Sequence, residues 1–224
     1  NPLAGYLFVL PLFVALGVFL LYPMLDTVLT SFYRISLVNI SGRVFVGLKN
    51  FRNLFRQQNP SFLADIMRVT LVFVFFSVLL QVGFGLLLAM FLHFKWLKGR
   101  VFFRNVFLLP WVTAGVVCGF SWRFLFNNSV GVLNYLVSLV GLSPQAWLSD
   151  PRLVLPSIIF ANIWKGTTYS LLIQTAGLQS IPEDLYDVAL VDGAGKWQSL
   201  WRIILPLLLP FLFINVVTET GDSF

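Results

Sequence analysis

Two stretches without a single charged residue, Tyr6 to Leu25 and Val69 to Leu92, constrain this chain more than anything else in it. Each reaches the ~20 residues that an α-helix needs to cross a hydrocarbon core about 30 Å thick. In that medium every backbone N–H and C=O must be paired within the protein, so such runs fold as helices. The composition agrees: 58% of the residues are hydrophobic and 11% charged, against about 25% charged in soluble domains. The first run is too long for the core of a secretory signal and is expected to remain in the mature protein.

The fold class that follows is all-α, a polytopic helical membrane protein. After the first span, Asp26 ends the uncharged stretch, with room for the helix to continue to Phe32. Residues 34–68 are mixed and basic, and Gly42, Gly47, Asn50, Asn59 and Pro60 break them up, so a loop carrying short helices is expected. The second span holds Gly83, Gly85 and Ala89, small residues that let a neighbouring helix approach closely. Its polar residue, Gln81, reads first as an interhelical hydrogen bond and second as a substrate contact. Lys95, Lys98, Arg100 and Arg104 then crowd one short segment, the best cytoplasmic loop by the positive-inside rule.

A third span is expected over about Val106–Trp122, and Phe124–Pro151 reads as an external segment with Trp147 at the membrane interface. A fourth, Leu153–Gly177, is the most polar. Gln81 together with Asn162, Trp164, Lys165, Thr168, Tyr169 and Gln174 makes the candidate lining of a translocation path, because intramembrane polar groups cost free energy unless they face partners or water. The bland alternatives are a buried ion pair or an interfacial position for Lys165, and packing for the aromatics and amides. A fifth span begins near Ile203, its start bent by Pro206 and Pro210.

The net charge of +6 fits membrane-flanking cations better than a nucleic-acid surface, because lysine and arginine gather between the apolar runs. No nucleic-acid partner is expected. The single Cys118 lies in an apolar segment and reads as packing. No phosphate-binding GxxxxGK[ST] motif, nucleophile–base pattern or dinucleotide fingerprint occurs. His93 has no second ligand at metal spacing. Neither a resident metal nor a cofactor is expected on this chain.

Leu185–Pro206 is the longest polar-dotted interruption late in the sequence, and it reads as helix, tight turn, helix. Ser180 and Glu183 have capping-box spacing with Pro182 in the first turn. Leu185, Val188, Ala189 and Asp192 recur at helical spacing. Gly193 and Gly195 stop that helix and suit a sharp reversal pressed against something. The second arm carries Trp197, Leu200, Trp201 and Ile204, and its two tryptophans are expected to be buried.

These residues resemble the EAA loop of permease subunits of binding-protein-dependent ABC importers. The resemblance is carried by Asp187-Val188-Ala189, Asp192-Gly193-Ala194, then Ile203, Leu205 and Pro206, and it makes these residues, with Trp197 of the second arm, the candidate ATPase-coupling set. The family's usual Glu is Asp187 here, and the Ala after it is Val188. The lead-in Gly177-Leu178-Gln179-Ser180-Ile181-Pro182 is similar to the carbohydrate-uptake branch, which includes maltose and glycerol-phosphate permeases. Phe45–Phe51 resembles the segment after that branch's first span.

The resemblance implies one permease domain over 1–224 with a coupling loop at 180–206. The apolar runs give at least five transmembrane helices, and a start at Asn1 rather than Met with a stop at Phe224 soon after an apolar run leads to the expectation of further chain beyond both ends. The resemblance also implies a multi-pass protein of the cytoplasmic membrane that lines part of a path for a sugar, oligosaccharide or related solute. A second permease subunit, two ATP-binding subunits that hold ATP and Mg, and an extracytoplasmic solute-binding protein are the implied partners, besides the lipid bilayer. Charge summed by side is nearly a tie for orientation, and the resemblance decides it: the 93–104 and Gly193 loops are cytoplasmic. Two rivals remain from the residues alone. One is a membrane enzyme holding Mg²⁺ on Glu183, Asp184, Asp187 and Asp192, and the other is a secondary transporter.

Overall fold

The computed structural model describes residues 2–36, 39–56, 60–93, 99–182 and 184–224. It is mostly helical, as expected. Its contacts divide into two compact units, Asn1–Val69 and Thr70–Phe224.

In the first unit, α1 (Pro2–Leu16) runs through a π-helical turn at Gly17–Leu21 into α2 (Tyr22–Thr30). Pro23 explains that turn. It has no N–H to give to the preceding turn, and the widened register, with the Tyr22 N–H on the Gly17 carbonyl, lets the helix pass it. Residues 34–68 differ from the loop expected there. Strands β1 (Tyr33–Ser36) and β2 (Asn39–Phe45) pair antiparallel, with Tyr33 opposite Phe45 and Arg34 opposite Val44. The aromatic pair Tyr33–Phe45, with centroids 5.3 Å apart, stabilises a hairpin that short polar sequence did not signal. Helix α3 (Lys49–Arg56) follows. Of the expected breakers, Asn59 lies outside the described residues.

A π turn at Phe62–Ile66, still in the first unit, leads into α4 (Met67–His93), most of which belongs to the second. The expected third span is not one rod. α5 (Arg100–Val112) and α6 (Gly115–Leu125) meet at 97°. Pro110 removes one ladder bond, and Thr113 and Ala114 take extended backbone between the helices. Cys118 is buried in α6, in keeping with a packing role.

Between α6 and α8 lies α7 (Val132–Leu139), tied down by the buried Asn134. Its Nδ2 donates to the Asn128 and Gln145 carbonyls, and its Oδ1 accepts from the Gln145 N–H and from Trp147 Nε1 at 2.8 Å. Trp147 thus braces this segment from within, with its ring 6.1 Å from Phe126. Asn134→Ala strands several buried polar groups and is expected to destabilise the segment by roughly 2–4 kcal/mol. Faster limited proteolysis between 127 and 150 is the measurement, and unchanged cleavage would rule the brace out.

α8 (Val154–Gln179) and α11 (Leu205–Ser223) pack along each other, and α5 and α4 lie against α8. The small core joins Ala89 and Leu92 of α4, Leu171 and Leu178 of α8, Ile181, and Leu208 of α11. Among the described residues three helices are long and apolar enough to cross a membrane, at 8–30, 64–93 and 197–223, and the bent α5–α6 pair is a fourth if it counts as one span. α8 has 26 residues, enough to cross. Its amides, hydroxyls and Lys165 make it too polar to stand in that group.

Candidate functional site

Two features stand out: a polar seam along α8 and a helical hairpin at its C-terminal end. The seam is built from the residues that the sequence marked. Gln81 is fully buried; its Nε2 donates to the Asn162 carbonyl at 3.1 Å, and its side chain fills the space that Gly166 leaves free. Thr168 donates to the Phe107 carbonyl at 2.9 Å, and buried Gln174 donates to the Val82 carbonyl at 3.0 Å. These three bind α4 and α5 to α8 as interhelical hydrogen bonds. The Oε1 atoms of Gln81 and Gln174 are buried without a partner.

Further along, Ser170 Oγ lies 3.2 Å from both Asn215 Oδ1 and Glu219 Oε1, all three residues being buried. One hydroxyl proton cannot serve two acceptors, and Asn215 Nδ2 is left unpaired in that orientation. Turning the amide over resolves both: Asn215 Nδ2 donates to Ser170 Oγ, which donates to Glu219. Asn215 was not singled out in the sequence, whereas Glu219 belongs to the polar stretch 218–222, whose setting in a cavity, an interface or a loop the sequence leaves open. Their signal was there, a carboxylate and an amide at i and i+4 in an apolar run, but only packing on α8 reveals a shared face.

The remaining marked residues are more accessible. Trp164 is exposed and edge-on to Trp122 at 5.7 Å, and Trp122 also meets Phe160 and Phe126. Asn162 reaches Ser223 Oγ at 3.4 Å. Lys165 and Tyr169 are half-buried. A Cβ added to Gly115 would sit 3.5 Å from Lys165 Nζ, so the ammonium lies beside the α5–α6 break.

The hairpin begins where α8 ends. Ser180 Oγ donates to the Gly177 carbonyl at 2.7 Å, closing α8; Glu183, the other half of the capping pair, lies outside the described residues. α9 (Asp184–Val191) follows. It ends in a left-handed glycine, Gly193 at φ +73°, with the Ala194 N–H on the Ala189 carbonyl at 2.9 Å and the Asp192 N–H on the Val188 carbonyl. That six-to-one bond closes a Schellman-type stop, a position where glycine avoids the steric cost of a side chain. Within this chain a Cβ on Gly193 or Gly195 would meet nothing within 4 Å, and Gly195 needs no positive φ.

The second arm also departs from expectation. α10 (Lys196–Ser199) continues through a π turn at Leu200–Ile204 into α11. As at Pro23, the wide turn precedes a proline, Pro206, and the Leu205 N–H reaches back to the Leu200 carbonyl. Thus the arm and the last span are a single helix, 197–223. The two tryptophans are not buried either. Trp197 is 71% and Trp201 56% exposed, edge to face at 5.7 Å, and Val191 is 87% exposed. Ala189 and Ile181 provide the buried root. Asp187 lines a cavity of about 620 Å³ with His93, Arg100, Arg104, Gln179 and Tyr186; Lys95 and Lys98 of the same basic segment lie outside the described residues. Among the described residues no three His, Cys, Asp or Glu side chains gather as a metal site.

The described helices make a multi-span helical protein whose last span extends into an exposed, apolar-edged hairpin. The profile of the family described as "Binding-protein-dependent transport system inner membrane component" matches residues 60–224, and the chain belongs to that family as an ABC-importer permease subunit. It is 36% identical to the trehalose/maltose transport system permease protein MalF of Thermococcus litoralis, over 98% of this chain and 72% of that protein. It is 31% identical to the sn-glycerol-3-phosphate transport system permease protein UgpA of Agrobacterium fabrum, over 100% and 74%. Among solved structures, a chain of a bacterial ABC transporter involved in the import of the acidic polysaccharide alginate superposes with a TM-score of 0.79 at 28% identity, covering 98% of this chain and 73% of that one. The alginate transporter in complex with an alginate pentasaccharide-bound periplasmic protein gives 0.80 at 27% identity, covering 99% and 72%. Family membership displaces the membrane-enzyme and secondary-transporter readings.

Proposed function

We infer that this subunit forms part of the path for a sugar, oligosaccharide or related polyol derivative across the cytoplasmic membrane. In this reading it works with a second permease subunit, two ATP-binding subunits and an extracytoplasmic binding protein. ATP and Mg are held by the ATPase subunits. The relatives' named solutes, trehalose/maltose, sn-glycerol-3-phosphate and alginate, support the substrate class.

The observation that carries the mechanism is the continuity of the hairpin with α11. A push on Trp197 and Trp201, or on Val191 through the Gly193 turn, is delivered along one helix into the membrane, and through the Ser170–Asn215–Glu219 contact to α8. The ATPase closing on ATP therefore biases the spans between inward- and outward-facing arrangements by differential contact in the two states. Asp187, Val188, Ala189, Asp192, Gly193, Ala194, Trp197, Leu205 and Pro206 form the coupling element. Among the candidate path residues, Trp164, Lys165, Tyr169 and Asn162 are the ones reachable by solute. Gln81, Thr168 and Gln174 hold the helices that carry them. The Trp164–Trp122 pair offers the apolar faces against which sugar rings stack.

The test is a pull-down of the membrane-extracted complex with ATP turnover and solute uptake measured in parallel. Asp187→Lys adds a third cation beside Arg100 and Arg104 and is expected to lose the ATPase subunit, or to uncouple it, with uptake down at least tenfold. Asp187→Glu keeps the carboxylate and is expected to retain uptake. Normal assembly and uptake in Asp187→Lys would remove the coupling assignment.

A further inference from the structure

We propose that α3 is an interfacial helix that lies in the membrane–water boundary and binds anionic lipid headgroups along one edge. On a helical projection Leu48, Phe51, Leu54 and Phe55 occupy one arc, Arg52, Arg56 and Lys49 the adjoining arc, and Asn50 and Asn53 the remainder. All four apolar side chains retain solvent-exposed surface, Phe55 at 58%. Soluble packing does not account for that face.

The depth of α3 follows from what holds its two ends. Asn50 Nδ2 donates to the Ser31 and Tyr33 carbonyls at 2.8 and 3.0 Å, and the Phe51 ring lies 5.8 Å from Phe32, so the first turn is clamped to the end of the 8–30 span. At the other end Phe55 meets Phe62 edge-on at 5.5 Å, two residues before the 64–93 span begins. A helix pinned between the end of one span and the start of the next lies where both leave the hydrocarbon.

Charge selects the occupant of its surface. Asp26 lies 3.8 Å from Arg43, and Asp65 accepts from the Ser61 N–H. Among the described residues no carboxylate lies within ion-pair distance of Lys49, Arg52 or Arg56. Three unneutralised cations beside an apolar arc are complementary to a bilayer with anionic headgroups: the stems lie along the acyl boundary and the heads meet phosphate.

Adjacent positions on the helix separate this from the alternatives. With Cys118→Ser as background, Leu54→Cys and Asn53→Cys are spin-labelled singly in the full chain in nanodiscs, and collision with oxygen and with a water-soluble nickel chelate is measured. In discs containing phosphatidylglycerol the oxygen-to-nickel ratio is expected to be at least fivefold higher at Leu54 than at Asn53. It is expected to fall when phosphatidylcholine replaces phosphatidylglycerol, and Arg52→Glu with Arg56→Glu is expected to abolish that lipid dependence. Equal ratios at the two positions would place α3 in water and overturn the proposal. A Leu54 label that neither reagent reaches would mean that another protein covers the face, and would overturn it too. A ratio indifferent to lipid charge would overturn the headgroup assignment.

Discussion

Gly85→Val is expected to eliminate folded, detergent-stable protein, whereas Gly83→Val, two residues earlier on the same helix, is expected to leave it intact. A Cβ at Gly85 would fall on Ser170 Cβ and come within 2.9 Å of the Ser170 carbonyl carbon and 3.0 Å of the Leu171 nitrogen. Two of those three atoms are backbone, so no rotamer change relieves the clash. α4 would have to move off α8, taking Gln81 from the Asn162 carbonyl and Gln174 from the Val82 carbonyl. Overpacking alone costs about 1–3 kcal/mol, and each stranded buried polar group about 1–3 kcal/mol more. Set against a total stability of roughly 5–15 kcal/mol, that sum is close to unfolding. At Gly83 a Cβ meets nothing within 4 Å, and valine is the better helix former. Size-exclusion profiles of the two variants in detergent decide the matter. Equal yields would show that α4 and α8 are not in van der Waals contact at this point.

The second large effect falls on Gly193. Proline requires φ near −65°, while this residue sits at +73°. Valine is strained there as well, because a β-branched residue in the left-handed region is a steric outlier. Either change undoes the Ala194–Ala189 bond that turns α9 back towards α10. α9 and the α10–α11 helix would no longer hold a set angle, so a force applied to the hairpin would bend it rather than move the span. Solute uptake per ATP hydrolysed in proteoliposomes is expected to fall at least tenfold for Gly193→Pro with membrane insertion unchanged. Gly195→Ala, at a position with neither positive φ nor a close neighbour, is expected to behave as wild type. If Gly195→Ala were as damaging as Gly193→Pro, the turn geometry would not be the cause.

Much of the chain could be read in advance for local reasons. An uncharged run of membrane length has one good conformation, so the spans at 8–30 and 64–93 follow from Tyr6–Leu25 and Val69–Leu92 almost without tertiary information. The stop at Gly193 is likewise a property of a few adjacent residues. The 97° break between α5 and α6 was harder, because Pro110 inside a helix can kink it or be absorbed, as Pro11 is in α1. The 33–45 hairpin was missed because its residues are mixed and polar with Gly42 among them, a pattern that reads as loop, and its strands are recognised only once Tyr33 lies opposite Phe45 and Arg34 opposite Val44. The tryptophans of the second arm were expected inside because bulky apolar groups usually are; in this chain they meet edge to face and remain open.

The sequence by itself determined a helical membrane protein with a helix–turn–helix loop of the permease type, because hydrophobic length and glycine chemistry act over one or two helical turns. Only the tertiary structure decided which polar residues of α8 bind neighbouring helices and which remain open. The reason is geometric: Gln81, Thr168 and Gln174 differ from Trp164 and Lys165 not in polarity but in the helix they face. It also decided that the second arm of the hairpin and the last span are one helix. Pro206 can break a helix or begin one, and the π turn before it lets the chain run straight through.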